Sequence, residues 1–96
     1  MSWYKQSQTA ALGIKDDAKS SDEIILRQAI SAELDAINLY EQMAASTSNP
    51  KVKGILLDIA QEEKVHIGEF QHLLEELDEE HGPSLEEGAD EVEEQH

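Results

Sequence analysis

The chain has 96 residues and a mass of 10.7 kDa, room for one small domain. It contains no cysteine, which excludes a disulfide framework, a thiolate zinc site, an iron–sulfur cluster and a cysteine nucleophile. Seven basic against 22 acidic side chains give a net charge of −15, which repels nucleic-acid phosphates and anionic lipid and favours cations or a basic protein surface.

Residues 1–20 are polar with no sustained period and read as a flexible arm, with Trp3 and Tyr4 free to dock. No apolar run approaches the roughly 20 residues of a membrane span, and Met1-Ser2-Trp3-Tyr4-Lys5 lacks a signal peptide's apolar region, so a cytoplasmic setting is expected. Residues 21–81 read as a helical hairpin. Ser20 with Glu23 fits a capping box for the first helix, which should run to about Ala45. The stretch Ser46-Thr47-Ser48-Asn49-Pro50 then stops it and starts the second, with Asn49 as N-cap and Pro50 at the first helical position. So short a link makes the helices antiparallel neighbours. The second helix should reach about Glu80, where His81-Gly82-Pro83 ends it. Residues 82–96 read as an acidic, solvated tail with at most a short helix over 85–94, since eleven carboxylates lie between 75 and 94.

Two helices cannot bury both apolar sides alone, so the expected fold is all-α: a hairpin that dimerises into a four-helix bundle. The first helix carries the stripe Leu26, Ile30, Glu33, Ile37, Tyr40, at intervals of 4, 3, 4 and 3. The second carries Val52, Leu56, Ile59, Glu63, His66, Phe70, Leu73, Leu77 in the same rhythm. Glu33, Glu63 and His66 thus occupy positions where the period calls for hydrocarbon. No Lys or Arg shares either stripe, so an ordinary salt bridge does not explain them.

The three also match in height. Glu33 lies 14.5 residues before a loop centre near 47.5 and Glu63 lies 15.5 after it. His66 follows Glu63 at i, i+3, the spacing at which one metal ion meets both side chains. One chain therefore carries half of a carboxylate-bridged di-metal site, and a two-fold dimer completes it with four Glu and two His. Four carboxylates balance two divalent cations. A lone Glu in a stripe ordinarily marks a solvated flank, and Glu-x-x-His recurs by chance; all three at one height are a different matter. Carboxylate and imidazole donors without thiolate suit iron or manganese, with zinc allowed on affinity.

Elsewhere the readings are plainer. Tyr40 continues the stripe two turns beyond Glu33, as core filler or as a neighbour of the site. His72 falls with Glu69 and Glu76 on the polar face; Glu62 faces solvent; His81 and His96 sit at chain breaks. A second line on the first helix (Ile25, Ala29, Ala32, Ala36, Leu39, Met43) makes its apolar arc wide enough for an assembly larger than a dimer.

The run Ala32-Glu33-Leu34-Asp35-Ala36-Ile37-Asn38-Leu39-Tyr40, followed by Glu62-Glu63-Lys64-Val65-His66, resembles the encapsulated ferritins, two-helix members of the ferritin-like group related to rubrerythrins. The resemblance covers about residues 22–80. It implies a ferroxidase that oxidises Fe(II) with dioxygen at a di-iron site in the dimer interface. It also implies an open ring of subunits, commonly a decamer of five dimers, held as cargo inside an encapsulin shell in the cytoplasm. Glu33, Glu63 and His66 match the family's iron ligands, Tyr40 its site tyrosine, and Asp35 a carboxylate of an outer iron-attracting site. Ala32 and Leu39 depart from the family's acidic residue and tryptophan, which affects the outer site and not the central one. Residues 89–96 resemble no shell-targeting peptide, so docking by charge or a longer natural chain fused to a shell protein is expected. Three alternatives stand beside the ferroxidase: a rubrerythrin-like peroxidase or di-manganese catalase, a helical adaptor merely stapled by metal, and a plain coiled-coil module.

Overall fold

The computed structural model describes residues 18–95 as three helices: α1 (Ala18–Ser46), α2 (Pro50–Leu77) and α3 (His81–Gln95). The described residues contain no strand. The arm expected over 1–20, with Trp3 and Tyr4, lies outside them except for 18–20, which form the start of α1. Because α1 begins at Ala18, Ser20 lies within its first turn and not at its cap.

The α1–α2 turn follows its chemistry closely. The Asn49 side chain accepts from Lys51 N at 2.9 Å and Val52 N at 3.2 Å, two of the donors a helix start leaves unpaired. Pro50 occupies the first turn, where its missing N–H costs nothing. Thr47 Oγ1 accepts from Asn49 N at 3.1 Å, and Ser46 Oγ donates back to Gln42 O at 2.9 Å, closing the end of α1.

The buried core is thin: Leu26, Ile37 and Ala44 from α1 meet Ala60 and Leu74 from α2. The α1 stripe lies where its period puts it. On α2 the expectation needs correcting. Its innermost line runs through Ala60, Ile67 and Leu74, whereas Val52, His66 and Leu73 from the expected stripe are exposed. The apolar arc of α2 is wider than one heptad line, so one edge packs on α1 and the other stays open.

The second correction concerns the chain's bend. Helix α2 ends at Leu77, not near Glu80, and the break falls at Asp78–Glu80, ahead of Gly82-Pro83. Asp78 serves both helices: its N–H donates to Leu74 O at 2.8 Å, and its carbonyl and side chain accept from His81 N and Glu80 N, each at 3.1 Å. Pro83 sits in the first turn of α3, where no N–H is needed, so it starts that helix and does not break the chain. Arg27 reaches across from α1 to Asp78 at 3.3 Å, and His81 Nε2 donates to Gln71 Oε1. Helix α3 spans 15 residues, longer than the expected short segment, and buries none of them.

Candidate metal centre

The three-residue link is centred on Ser48, so Glu33 of α1 and Glu63 of α2 each stand fifteen residues from it and face one another across the hairpin. His66, one turn further along α2, completes the cluster: one donor atom from each residue lies within 4.8 Å of the other two. It is the one such group of three among the described residues. His66 Nδ1 donates to Glu33 Oε2 at 3.0 Å and stands 3.5 Å from Glu63 Oε1.

Burial grades outward across the cluster. The Glu63 and Glu33 side chains keep only 16% and 20% of their exposure, while His66 keeps 46%. His66 therefore stands at the open edge of the cluster and not inside the hairpin, which corrects its expected place in the stripe. Among the described residues no lysine or arginine pairs with either carboxylate: Arg27 goes to Glu23 and Asp78, and Lys64 to Glu41.

The electrostatics record the crowding. Glu63 is raised above the ordinary carboxylate value, first by a hydrogen bond shared with Glu33, then by desolvation and the Glu33 charge, with His66 opposing. His66 is raised as well, chiefly by its bond to Glu33 and against a lowering by desolvation. Both shifts favour proton binding at a place where two carboxylates and an imidazole lie close together, the same crowding that a cation would relieve. Two oxygen donors and one nitrogen donor, with no thiolate, fit a hard-to-intermediate divalent ion such as ferrous iron.

The remaining expected residues do not join the cluster. Tyr40 is half-buried two turns along the same line and makes no hydrogen bond among the described residues. Asp35 is exposed, two residues from Glu33 and on another side of α1. His72 pairs with Glu76, at 3.1 Å on the solvent face. What sequence reasoning left out is Ile55, 60% exposed on α2 at positions of the same face as His66. Together with Ile25, Leu39, Met43, Val52 and Leu73 it makes the open apolar surround of the cluster. The signal was present in the spacing 55, 59, 62, 66, 73, an outer edge of the α2 arc.

The model of the family described as rubrerythrin matches residues 25–95. The chain belongs to the rubrerythrin family. Within that family it is similar to a ferritin-like–encapsulin shell fusion protein of Pyrococcus furiosus, 52% identical over 82 residues, or 83% of this chain and 24% of that protein. It is also similar to the encapsulin nanocompartment cargo protein EncB of Myxococcus xanthus, 39% identical over 65% of this chain and 39% of that one. The chain thus spans a quarter to two fifths of the length of these curated relatives. Among solved structures, the encapsulated ferritin domain from P. furiosus superposes with a TM-score of 0.79 at 54% identity, covering 83% of this chain and 82% of that one. The resemblance to encapsulated ferritins read from the residues is borne out, as is the all-helical, ferritin-like fold of this rubrerythrin-family chain.

Proposed function

We propose that the chain is a ferroxidase unit that works as a dimer, taking Fe(II) as substrate, passing its electrons to dioxygen, and feeding ferric mineral within an encapsulin compartment in the cytoplasm. The observation that carries this reading is the cluster itself: Glu33, Glu63 and His66 converge from two helices, without a Lys or Arg partner among the described residues, at the margin of an exposed apolar face. A second copy laid on that face brings its own three donors to the same place, giving a site for two ions. The ferrous ions supply the redox chemistry, one electron each to dioxygen. The chain's own groups do the rest. Glu63, whose hold on a proton Glu33 raises, releases it as a cation arrives, and the Nδ1 of His66 gives up its proton to become a ligand atom. The apolar surround, once covered, keeps bulk water off the site. Tyr40 stands further along the same line as a hydrogen-bonding or redox neighbour, and Asp35 offers an outer carboxylate for arriving cations.

The relatives' names support an encapsulin shell protein as partner, and the acidic α3 is the segment we assign to it. A ring of dimers, most simply a decamer, fits the breadth of the open face. The test is an anaerobic Fe(II) titration followed by native mass spectrometry and oxygen-consumption kinetics. About two irons per dimer, with uptake lost in Glu63→Ala, is expected. Iron oxidation driven faster by hydrogen peroxide than by dioxygen would replace the ferroxidase with a peroxidase, and a dimer that takes up no specific iron would sink both.

A further inference from the structure

At the end of the hairpin away from the turn, α1 and α2 leave a groove of about 280 Å³, lined by Asp22, Ile25, Leu26, Leu73, Glu76 and Leu77. Leu26 is buried there, whereas Ile25 and Leu73 stay half-exposed. The two carboxylates are exposed, one on each helix. Small-molecule sites begin near about 300 Å³, so this volume suits one or two large side chains better than a ligand.

One feature of the sequence has found no role in the fold or the cluster: Trp3-Tyr4. Residues 1–17 lie outside the described residues and are otherwise largely small or polar. The chain has four aromatic residues, and two of them stand side by side here. Stretches that remain in water are poor in aromatics. A Trp and a Tyr, each able to bury about 150–250 Å² while keeping a polar tip wet, call for an apolar surface open at one side. Lys5 follows them directly, opposite in charge to Asp22 and Glu76.

Position selects which surface. Helix α1 begins at Ala18, and the groove lies one to two turns into it, about 10 Å along the axis. The thirteen residues between Tyr4 and Ala18 reach up to about 45 Å when extended, so the pair meets the groove of its own chain with length to spare. Such a tether presents the pair at roughly millimolar effective concentration, well above that of a second molecule in dilute solution.

We propose that Trp3 and Tyr4 fold back into the groove of their own chain, against Ile25, Leu26, Leu73 and Leu77, with Lys5 facing Asp22 and Glu76. Ile25 and Leu73 also belong to the open face around the cluster, so the docked segment and a second copy on that face exclude each other. That exclusion, which rests on the proposed dimer, makes residues 1–17 a cover for the metal-free monomer that the cation-bound dimer sheds.

Trp3 is the chain's single tryptophan and reports on itself. In the metal-free chain its emission should lie to the blue of a tryptophan in water, and acrylamide should quench it several-fold less steeply. Leu73→Ser, a half-exposed position whose loss leaves the helices intact by circular dichroism, should abolish both signs of burial; Leu57→Ser, outside the groove, should keep them. A water-like Trp3 in the parent chain, or one indifferent to Leu73→Ser, would overturn the docking. Because there is no cysteine, a nitroxide on Ser2→Cys is unique, and it should broaden the amide signals of Ile25 and Leu77 while sparing Ser48 at the turn. Equal broadening at Ser48, or broadening passed to an isotope-labelled chain that carries no nitroxide, would overturn docking within one chain. Added zinc, which is redox-inert, should dimerise the chain and expose Trp3 together. A zinc dimer with Trp3 still covered would overturn the exclusion. A chain that zinc never dimerises refutes the proposed dimer and the exclusion with it, while the docking is judged on the metal-free signals alone.

Discussion

Ile55 offers the sharpest test of the face around the cluster. It is 60% exposed in the isolated chain, so replacing it with serine removes little from the fold of the hairpin itself. Fully burying an isoleucine is worth about 1.5–3 kcal/mol, so covering the exposed part stabilises by about 1–2 kcal/mol per copy. A two-fold dimer counts it twice, about 2–4 kcal/mol, which weakens dimerisation by roughly 30- to 700-fold at 1.4 kcal/mol per decade. Sedimentation equilibrium at a fixed concentration of a redox-inert divalent ion measures that change. Leu57→Ser, of similar exposure on the opposite flank, should leave this dissociation constant within about threefold. If Ile55→Ser dimerises as tightly as the parent chain, or if Leu57→Ser carries the loss, the wrong face has been assigned to the cluster-bearing dimer.

Four further outcomes follow from named contacts. Both raised groups bind protons more tightly in the folded chain than in the unfolded one. The metal-free protein should therefore hold their contribution at acid pH, losing the Glu63 part as pH rises above the ordinary carboxylate value of 4.5 and the His66 part above the ordinary histidine value of 6.5, with Glu33→Gln flattening the profile of thermal melts. Direct NMR titration of His66 should show a midpoint above 6.5 that falls in the same variant; an unshifted imidazole would remove the argument. Leu74→Ala deletes the one large side chain that is fully buried among the described residues, at 1% exposure, and should cost about 2–5 kcal/mol by denaturant unfolding; a loss under about 1 kcal/mol would mean the α1–α2 core is elsewhere. Asp78→Ala removes the acceptor for Glu80 N and the partner of Arg27, costing about 1 kcal/mol locally. Amide exchange should quicken in α3 and stay unchanged in α2; equal quickening in both would show that the bend is not an independent joint.

What could be read from the residues divides along a physical line. The turn was legible because Asn49 and Pro50 satisfy a strictly local demand, the unpaired donors of a helix start. The cluster was legible because charges in an apolar stripe are costly wherever the stripe goes, and a link of three residues fixes their heights. The rotation of α2 was not, because an apolar arc wide enough for two partners does not say which edge meets the neighbour in the same chain; His66 came out at the rim for that reason. The bend was misplaced by three residues. Pro83 forbids a helix interior but suits a first turn, and which of these applies depends on Asp78 and Arg27, held together across 51 residues of sequence.

The placement of His66 bears on how assembly and cation binding are joined. Were all three donors sealed between α1 and α2, one chain could hold an ion alone, and dimerisation would be indifferent to it. Instead the carboxylates lie inside the hairpin's edge and the imidazole stands at the opening, in the plane of the exposed Ile55 and Leu73. Covering that plane buries apolar surface, which favours the dimer, and brings a second acidic cluster to the first, which opposes it. A divalent cation removes the opposing part and leaves the favouring one. In the proposed dimer, cation binding and dimerisation should therefore strengthen each other by the same factor, whichever is measured.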